Sequence, residues 1–465
     1  MNPEHYPRVL IVSHPVLAKN TSMGKTMDTY FSGWPRDKIA QLYVQSEVPT
    51  DPLCVNYFRF TDPDALKSIL QRRRQGTVFG ENDVRPERAD PVEMGNLAGV
   101  YNYGRRRTPL IFLARDGMWR LSGWKHSGMP EWAENFRPEV IFYASGDYAF
   151  SYRITRFLAK RLGIPYVVCC FDDFYLFNPN ENRFLGRFRQ KLYMKTVRET
   201  LDGAAKILTV NDAMAEAYGK TFGRKCGVVW TAANPVKGEA ETGPAEKQGI
   251  AFLGDVSLGR YRQLTDIADA LRECAGPGIP EKLDIYSAET DPFFLKPLQE
   301  HPGIRFHGAV PGDRVPEIIR KNRAVIHTES FDPEMRKRVR YSLSTKIADS
   351  LASGTCLLAY GPAEAASMDY LIRNRAAFTA ASPEELRAIL PRLFTDDAEY
   401  LRISENAKAL ARKNHSPETT RETVRKALAD AAEGKGNKQK DVLNDQDRKK
   451  DDQHSHDSFH VPADL

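Results

Sequence analysis

The residues best suited to bind an anion lie between positions 331 and 361. A basic run precedes a short predicted helix, Thr345–Ala352, and consists of Arg336, Lys337, Arg338 and Arg340. Lys346 and Asp349 are three residues apart and share one face of that helix. Main-chain N–H groups, the helix dipole and Lys346 together favour a diphosphate, while Asp349 can accept hydrogen bonds from a ribose. The alternative interpretation is an ordinary ion pair on a solvated helix.

Two candidate catalytic residues follow predicted strands in the first half of the chain. His14 comes directly after the run Val9–Ser13, and Asp147 follows Val140–Ala144 after a serine and a glycine. In open α/β sheets, ligands bind beyond the carboxyl ends of the strands, so both side chains are placed to meet a substrate. The alternatives are a structural histidine and an aspartate that caps a helix.

The triplet Gly24-Lys25-Thr26 has the composition of a nucleotide-binding P-loop but not its full pattern. Lys19 stands where the first glycine of that loop is required, which excludes an NTPase of this type. A glycine-containing loop before a helix can still bind a phosphate of an acceptor through main-chain N–H groups.

Short apolar runs bounded by turn residues alternate with helix-like segments along the chain. Runs of this length are typical of strands that are buried on both faces of a parallel sheet. Two such series predict an α/β protein with two Rossmann-like, doubly wound domains. The predicted strands are 9–13, 39–44, 140–144, 166–170, 207–210 and 228–230, then 250–253, 283–286, 304–307, 324–328, 355–359 and 376–379.

A polar segment at 234–249, rich in Gly, Pro and Glu, predicts the linker between these domains. The first domain is therefore expected over residues 1–235 and the second over 236–410. A terminal helix is expected over 411–432. The polar residues 433–465 lack the apolar surface needed to fold, and are expected to be disordered.

The composition fits a globular protein of two domains. The 465 residues are 41 % hydrophobic and 28 % charged, and the net charge of +6 does not by itself indicate a partner such as nucleic acid. The six cysteines have no metal-ligand spacing and predict free thiols in a reducing compartment. No signal-peptide pattern opens the sequence, and no apolar run approaches the roughly 20 residues that span a bilayer. We therefore expect a cytoplasmic protein that can meet a membrane only at its surface.

The segment 68–137 breaks the alternation of strand and helix, and we expect an irregular insertion there. It contains arginine triplets at 72–74 and 105–107, and then Trp119, Trp124 and Trp132. Basic residues with interleaved aromatics favour contact with phospholipid headgroups or a polyprenyl diphosphate. The alternative is a solvated basic loop, followed by a helix whose tryptophans pack in the core.

The segment 344–354, STKIADSLASG, resembles the donor-site signature of retaining GT-B glycosyltransferases of family 4 and its relatives. That signature is a lysine, then an acid, then Leu/Met-Ala-x-Gly before a strand. Weaker resemblances occur in the same order as in the family. They are residues 206–212, 229–235, 250–255 with Arg260, 283–287 and 306–310.

The resemblance implies a two-domain GT-B protein with a cleft between the domains and a last helix that crosses back to the first domain. It implies transfer of a sugar from a nucleotide-diphosphate donor to a glycan or lipid-linked acceptor, in surface polysaccharide synthesis, without a cofactor or metal. By matching positions, Lys346 and Arg260 would bind the diphosphate and Asp349 the ribose. The other implied donor residues are Gly254, Tyr286, Gly308, Val310 and Ser344.

The sequence departs from the family at one acidic position. Many members have two glutamates separated by seven residues, and if Asp349 fills the second place, the first falls on Tyr341. This departure leaves open a catalytically inactive scaffold, and a nucleotide-sugar 2-epimerase on the same fold is a separate alternative.

Overall fold

The computed structural model describes residues 5–17, 22–50, 53–71, 75–84, 109–177, 184–233 and 247–434. The chain forms two compact units. The first comprises Met1–Val229 together with Glu422–Leu465, and the second comprises Trp230–Arg421. Most of the predicted linker, nearly all of the predicted tail and both arginine triplets lie outside the described residues.

The first unit contains an eight-stranded sheet of order β4-β3-β2-β1-β5-β6-β7-β8. Neighbouring strands are parallel except β3 and β4, which pair antiparallel. The strands are β1 (Val9–Ser13), β2 (Ile39–Tyr43), β3 (Tyr57–Arg59), β4 (Thr77–Phe79), β5 (Val140–Ala144), β6 (Tyr166–Cys170), β7 (Lys206–Thr209) and β8 (Gly227–Val228). Every residue of β1, β2, β5 and β6 is buried, as the continuous apolar runs predict.

The described helices of this unit pack around the sheet. They are α1 (Ser22–Phe31), α2 (Asp62–Gln71), α3 (Pro109–Leu121), α4 (Met129–Phe136), α5 (Ala149–Leu162), α6 (Phe184–Gly203) and α7 (Asp212–Phe222). The C-terminal part of a last helix joins them, because Val424, Leu428 and Ala431 belong to the same apolar core as β1 and β5. An ion pair of 2.6 Å between Lys206 and Asp430 also ties that helix to β7.

The second unit contains six parallel strands in the order β11-β10-β9-β12-β13-β14. The strands are β9 (Ile250–Leu253), β10 (Leu283–Tyr286), β11 (Ile304–Gly308), β12 (Ala324–Thr328), β13 (Cys356–Tyr360) and β14 (Phe378–Ala380). The order reverses between β9 and β12, and a doubly wound sheet binds its ligand at such a point. In the first unit, the reversal lies between β1 and β5.

The remaining helices follow the second series of strands. They are α8 (Arg260–Glu273), α9 (Pro292–Gln299), α10 (Val315–Lys321), α11 (Pro333–Val339), α12 (Thr345–Ala352), α13 (Ala366–Arg373), α14 (Pro383–Thr395), α15 (Asp397–Asn414) and α16 (Pro417–Ala432). The segment predicted as one terminal helix, 411–432, is divided between α15 and α16. In the described part of the chain, no helix is both long and apolar enough to cross a bilayer.

The described part of the segment 68–137 is regular, which corrects the expectation of an irregular insertion. It contains the end of α2, the strand β4 and the helices α3 and α4. Trp119 and Trp124 are buried, and the indole of Trp132 donates to Asn56 Oδ1 at 2.7 Å. These tryptophans therefore pack within the unit, as the alternative interpretation of this segment supposes.

Candidate functional site

A small pocket lies at the carboxyl ends of β9 and β12, where the strand order of the second sheet reverses. Its volume is about 60 Å³. Val325 and Leu357 contribute to its apolar floor. Five of the donor residues predicted from the sequence line it, and they are Gly254, Arg260, Ser344, Lys346 and Asp349. The fold thus brings together residues that are up to 95 positions apart (349 − 254).

Lys346 lies in the first turn of α12, and its ammonium extends over Gly254. A methyl group added to Gly254 would lie 3.1 Å from Nζ and 3.4 Å from Cε of that lysine. Although the side chain as a whole is exposed, desolvation around the ammonium lowers the pKa of Lys346. Arg260 lowers this pKa further, whereas Asp255 and Asp349 oppose the shift. A partly desolvated ammonium beside a second cation gains more from an anionic ligand than a lysine in bulk water.

Arg260 is the first residue of α8 and is held against the end of β12. Its Nε donates to Thr328 O at 3.2 Å, and its Nη2 lies 3.1 Å from a carboxylate oxygen of Glu329. Glu329 follows β12 directly and is buried. The guanidinium is therefore fixed in position at the wall of the pocket.

The close approach of α8 to β12 depends on a glycine. Gly259, just before Arg260, has φ +83°, and a Cβ there would lie 2.4 Å from Ser330 Oγ. A side chain at this position would therefore be strained and would push α8 away from the residues that follow β12.

His327 lies on β12 and lines the same pocket. Its Nε2 is 2.9 Å from Ser367 Oγ and 3.7 Å from Glu329 Oε1. Burial lowers the pKa of His327 to about 3, with Arg260 and Lys346 adding to the shift. This imidazole is therefore neutral at physiological pH, and the cations of the site are Lys346 and Arg260.

Three predicted donor residues lie outside this pocket. Tyr286 ends β10 and stacks on His307, with the ring centroids 4.6 Å apart and the planes 10° from parallel. Its main-chain oxygen accepts from Gly254 N at 2.9 Å, so the strand end adjoins the pocket even though the ring does not line it. Gly308 ends β11 with φ +74° and open space beside its Cα, and Val310 lies two residues further on, before the next turn.

His14 and Asp147 lie close together in the first unit, at the ends of the adjacent strands β1 and β5. The His14 ring stacks on Tyr148, with centroids 4.5 Å apart, and Tyr148 follows Asp147 in the chain. His14 Nδ1 is buried and has no hydrogen-bond partner among the residues that the structure describes. Burial lowers the pKa of His14 to about 3, and Arg115 contributes to the shift. A neutral imidazole can exchange hydrogen bonds with a substrate hydroxyl but cannot serve there as a cation.

Asp147 lines a second small pocket, of about 30 Å³. Aromatic and basic side chains form much of its wall. The Arg115 guanidinium lies 4.1 Å above the Tyr148 ring, and the Arg189 guanidinium lies 4.0 Å above that of Phe112. Such a wall can stack on a sugar ring and attract an anionic group.

Comparisons with known proteins support the architecture. Residues 262–426 match a family model described as glycosyl transferase-like. Alr3699/HepE from Anabaena, solved with UDP and glucose, aligns with 91 % of this chain and 100 % of its own, at 13 % identity and a TM-score of 0.56. No curated protein is detectably similar in sequence.

Two further solved structures align over a similar extent. The α,α-trehalose 6-phosphate synthase from Burkholderia multivorans covers 92 % of this chain and 98 % of its own, at 12 % identity and a TM-score of 0.58. TarM covers 92 % and 100 %, at 8 % identity and a TM-score of 0.59. This chain has the GT-B fold. The structural alignments establish the fold. The sequence identities are too low to identify the reaction, which has to be argued from the site.

Sequence reasoning missed one acid beside the pocket of the second unit, Glu329, which pairs with Arg260. The family pattern, two acids with seven residues between them, puts the first acid at Tyr341, whereas the buried carboxylate beside Arg260 belongs to Glu329. Helix α11 lies between Glu329 and α12, which lengthens the spacing. The position of Glu329 directly after a predicted strand was the signal that could have identified it.

The triplet Gly24-Lys25-Thr26 lies inside helix α1, which corrects its assignment to a loop before a helix. The helix begins at Ser22, so Gly24 is in its first turn. The Lys25 side chain is exposed, whereas Thr26 is buried. Of these three residues, only Lys25 is therefore accessible to a ligand from solvent.

Proposed function

We propose that this protein is a glycosyltransferase that transfers a sugar from a nucleoside-diphosphate donor to a glycan or lipid-linked acceptor, in surface polysaccharide synthesis. The observation that carries the proposal is the convergence of Lys346 and Arg260 on one pocket at the strand-order reversal of the second unit. The glycosyl transferase-like match covers α12 and β13, which form part of this pocket.

On this proposal, the chain's own residues stabilise the departing diphosphate. Negative charge grows on that group as its bond to the sugar breaks, and cations already in position stabilise it without reorganisation. Lys346 is favoured because it extends over Gly254 from the first turn of α12, where main-chain N–H groups also attract an anion. Arg260 is favoured because Glu329 and Thr328 O fix its orientation.

Uridine diphosphate is the first nucleotide to test, because HepE was solved with UDP. Asp349 lines the pocket one turn beyond Lys346 and is proposed to bind the ribose. Retention of the anomeric configuration is also proposed, from the 344–354 signature. NMR of the first product formed would test retention, since an inverted anomer contradicts it.

We assign the acceptor to the first unit. Asp147 and the neutral His14 are proposed to contact the acceptor hydroxyl that attacks the donor. Lys346 and Arg260 supply positive charge for the diphosphate, so we expect activity to persist in EDTA. The six cysteines are free thiols, five of them buried, which favours a reducing cytoplasmic compartment.

Calorimetric titration with UDP, GDP, ADP and CMP tests the donor site directly. We expect one diphosphate to bind the wild type, and the corresponding nucleotide sugar to be hydrolysed slowly without an acceptor. Absence of binding at millimolar concentration would reject the donor site and favour a scaffold. Binding followed by interconversion of donor sugars would instead identify an epimerase.

A further inference from the structure

A cavity of about 560 Å³ lies at the amino ends of the first three strands of the eight-stranded sheet. Arg8 directly precedes β1, Ile39 begins β2 and Asn56 directly precedes β3, and all three line the cavity. Helix α4 contributes Trp132 and Asn135. We call this space the amino-end cavity. Its volume is within the roughly 300–1,000 Å³ that is typical of ligand sites.

The amino-end cavity lies at the opposite end of the sheet from the residues assigned to the acceptor. His14 follows the last residue of β1 and Asp147 follows β5, whereas the cavity lies before the first residue of β1. The five buried residues of β1 separate its two ends by about 16 Å at the usual rise per residue of a strand. A ligand bound in the amino-end cavity is therefore held at a separate site.

Trp132 is held in a fixed orientation at this cavity. Its Nε1 donates to Asn56 Oδ1 at 2.7 Å, and its ring packs against Phe58, with the centroids 5.4 Å apart. Because an indole N–H can only donate, this bond fixes the orientation of the Asn56 amide and leaves Nδ2 as a donor. In the described part of the chain, no acceptor pairs with Asn56 Nδ2. A partly exposed indole and an oriented amide donor thus meet at one site.

The charged residues of the cavity balance one another. They are Arg8, Arg36, Asp37 and Glu131. The Arg8 guanidinium donates from Nε and Nη2 to Phe136 O, at 2.9 and 2.7 Å, and lies 4.5 Å from the centre of that ring. Arg36 pairs with Glu81 at 3.0 Å. Both cations have partners within the protein, so the cavity favours a neutral ligand over one that carries phosphate or sulfate.

Two polar side chains of the cavity are left to bind a ligand. Asp37 and Asn135 are exposed, and neither side chain has a hydrogen-bond partner among the residues that the structure describes. A carboxylate accepts several hydrogen bonds, and an amide both donates and accepts. Together with Asn56 Nδ2 they can bind neighbouring hydroxyl groups, while the indole of Trp132 packs against an apolar ring face. A neutral sugar offers both hydroxyl groups and such a face.

We propose that the amino-end cavity binds a neutral saccharide, at a site separate from that of the acceptor hydroxyl. Binding depends on Trp132, Asn56, Asp37 and Asn135, and it requires no transfer reaction. Its use rests on the proposed function. A glycan that is held at this second site stays near the enzyme between successive transfers, which lowers KM for long acceptors through a higher effective concentration.

Affinity electrophoresis tests the proposal with the full chain. Native gels contain dextran, galactomannan or hydroxyethyl cellulose, which are neutral, and dextran sulfate is the anionic probe. We expect at least one neutral polysaccharide to retard the wild type, and Trp132→Ala to abolish the retardation. Asp37→Ala with Asn135→Ala should raise the dissociation constant about tenfold, the expected effect of losing two hydrogen bonds. The matched control is Gln299→Ala with Asp313→Ala, which removes an exposed amide and an exposed carboxylate of the second unit.

Trp132→Ala also removes the internal hydrogen bond to Asn56, so circular dichroism checks that this variant folds. The Asp37/Asn135 variant changes only exposed side chains without partners, and it tests the site even if the Trp132 variant unfolds. Three results would overturn the proposal. They are a wild type that no neutral polysaccharide retards, retardation by dextran sulfate alone, and an Asp37/Asn135 variant that is retarded as strongly as the control.

UDP titration separates this site from the pocket of the second unit. The Asp37/Asn135 variant should bind UDP like the wild type, because both residues belong to the first unit. Failure of UDP to bind any of these proteins would reject the proposed function, whereas the gels alone decide whether the amino-end cavity binds a saccharide.

Discussion

The Arg260 guanidinium lies 3.1 Å from a carboxylate oxygen of Glu329, whose side chain is only 2 % exposed. The pair joins the start of α8 to the end of β12. Because the carboxylate is buried, losing its partner leaves a charge without compensation, and that is far costlier than losing an ion pair at the surface.

A double-mutant cycle tests this pair. Arg260→Met and Glu329→Gln should each lower the free energy of unfolding by about 3 kcal/mol, because each leaves a buried group unpaired. The double variant should lose less than the sum, since neither unpaired charge remains. Urea unfolding measures all four proteins, with Lys296→Met as a surface control from the exposed Lys296–Glu300 pair. Additive effects would show that the two side chains are not coupled.

Lys346→Ala should weaken UDP binding by about ten- to a hundredfold, the expected effect of losing one charge-assisted contact to a phosphate. Lys337→Ala is the matched control, because Lys337 is exposed on α11 and pairs with Glu334. Calorimetry gives both affinities. Equal affinity of the two variants for UDP would show that Lys346 does not contribute to UDP binding.

Gly254→Ala should weaken UDP binding while the protein remains folded. The new methyl would lie 3.1 Å from the Lys346 ammonium, which must shift by a few tenths of an ångström, and the φ of +158° at Gly254 adds backbone strain. Gly312→Ala is the control, since a Cβ there has no heavy atom within 4 Å. Circular dichroism checks that both variants fold, and titration with UDP compares their affinities. Wild-type affinity in the Gly254 variant would mean that the ammonium is not needed at this position.

Acidification should destabilise the protein through its buried histidines. Burial lowers the pKa of His327 to about 3, below the roughly 6.5 of an unfolded chain. Between these two values the unfolded chain binds a proton that the folded chain does not. The free energy of unfolding therefore falls as the pH falls, by about 1.4 kcal/mol per pH unit for each such histidine, and the full stability is present above about pH 6.5.

His327→Gln should reduce this slope, because glutamine does not titrate. Urea unfolding of the wild type and the variant over the acid range compares the slopes, with His126→Gln as the control for loss of an exposed imidazole. Equal slopes in the wild type and the His327 variant would contradict a neutral buried His327.

The sequence predicted the doubly wound sheets, and it singled out five of the residues that line the pocket at the strand-order reversal of the second unit. Continuous apolar runs predicted the central strands, and the spacing of Lys346 and Asp349 placed both on one side of α12. What the sequence did not predict depends on where a helix begins and on contacts between distant residues. The triplet Gly24-Lys25-Thr26 lies within α1 because that helix begins at Ser22, before the triplet. The pairing of Glu329 with Arg260 joins residues 69 positions apart, although the place of Glu329 directly after a predicted strand was a local signal for it.

The two sheets end on strands that offer little main chain to another molecule. In the first sheet the outer strands β4 and β8 have three and two residues, and in the second β14 has three. The longer outer strand β11 exposes Arg305 and His307 on alternate positions. Short or charged outer strands disfavour edge-to-edge pairing between molecules. Aggregation of the folded protein through these strands is thus opposed by its architecture.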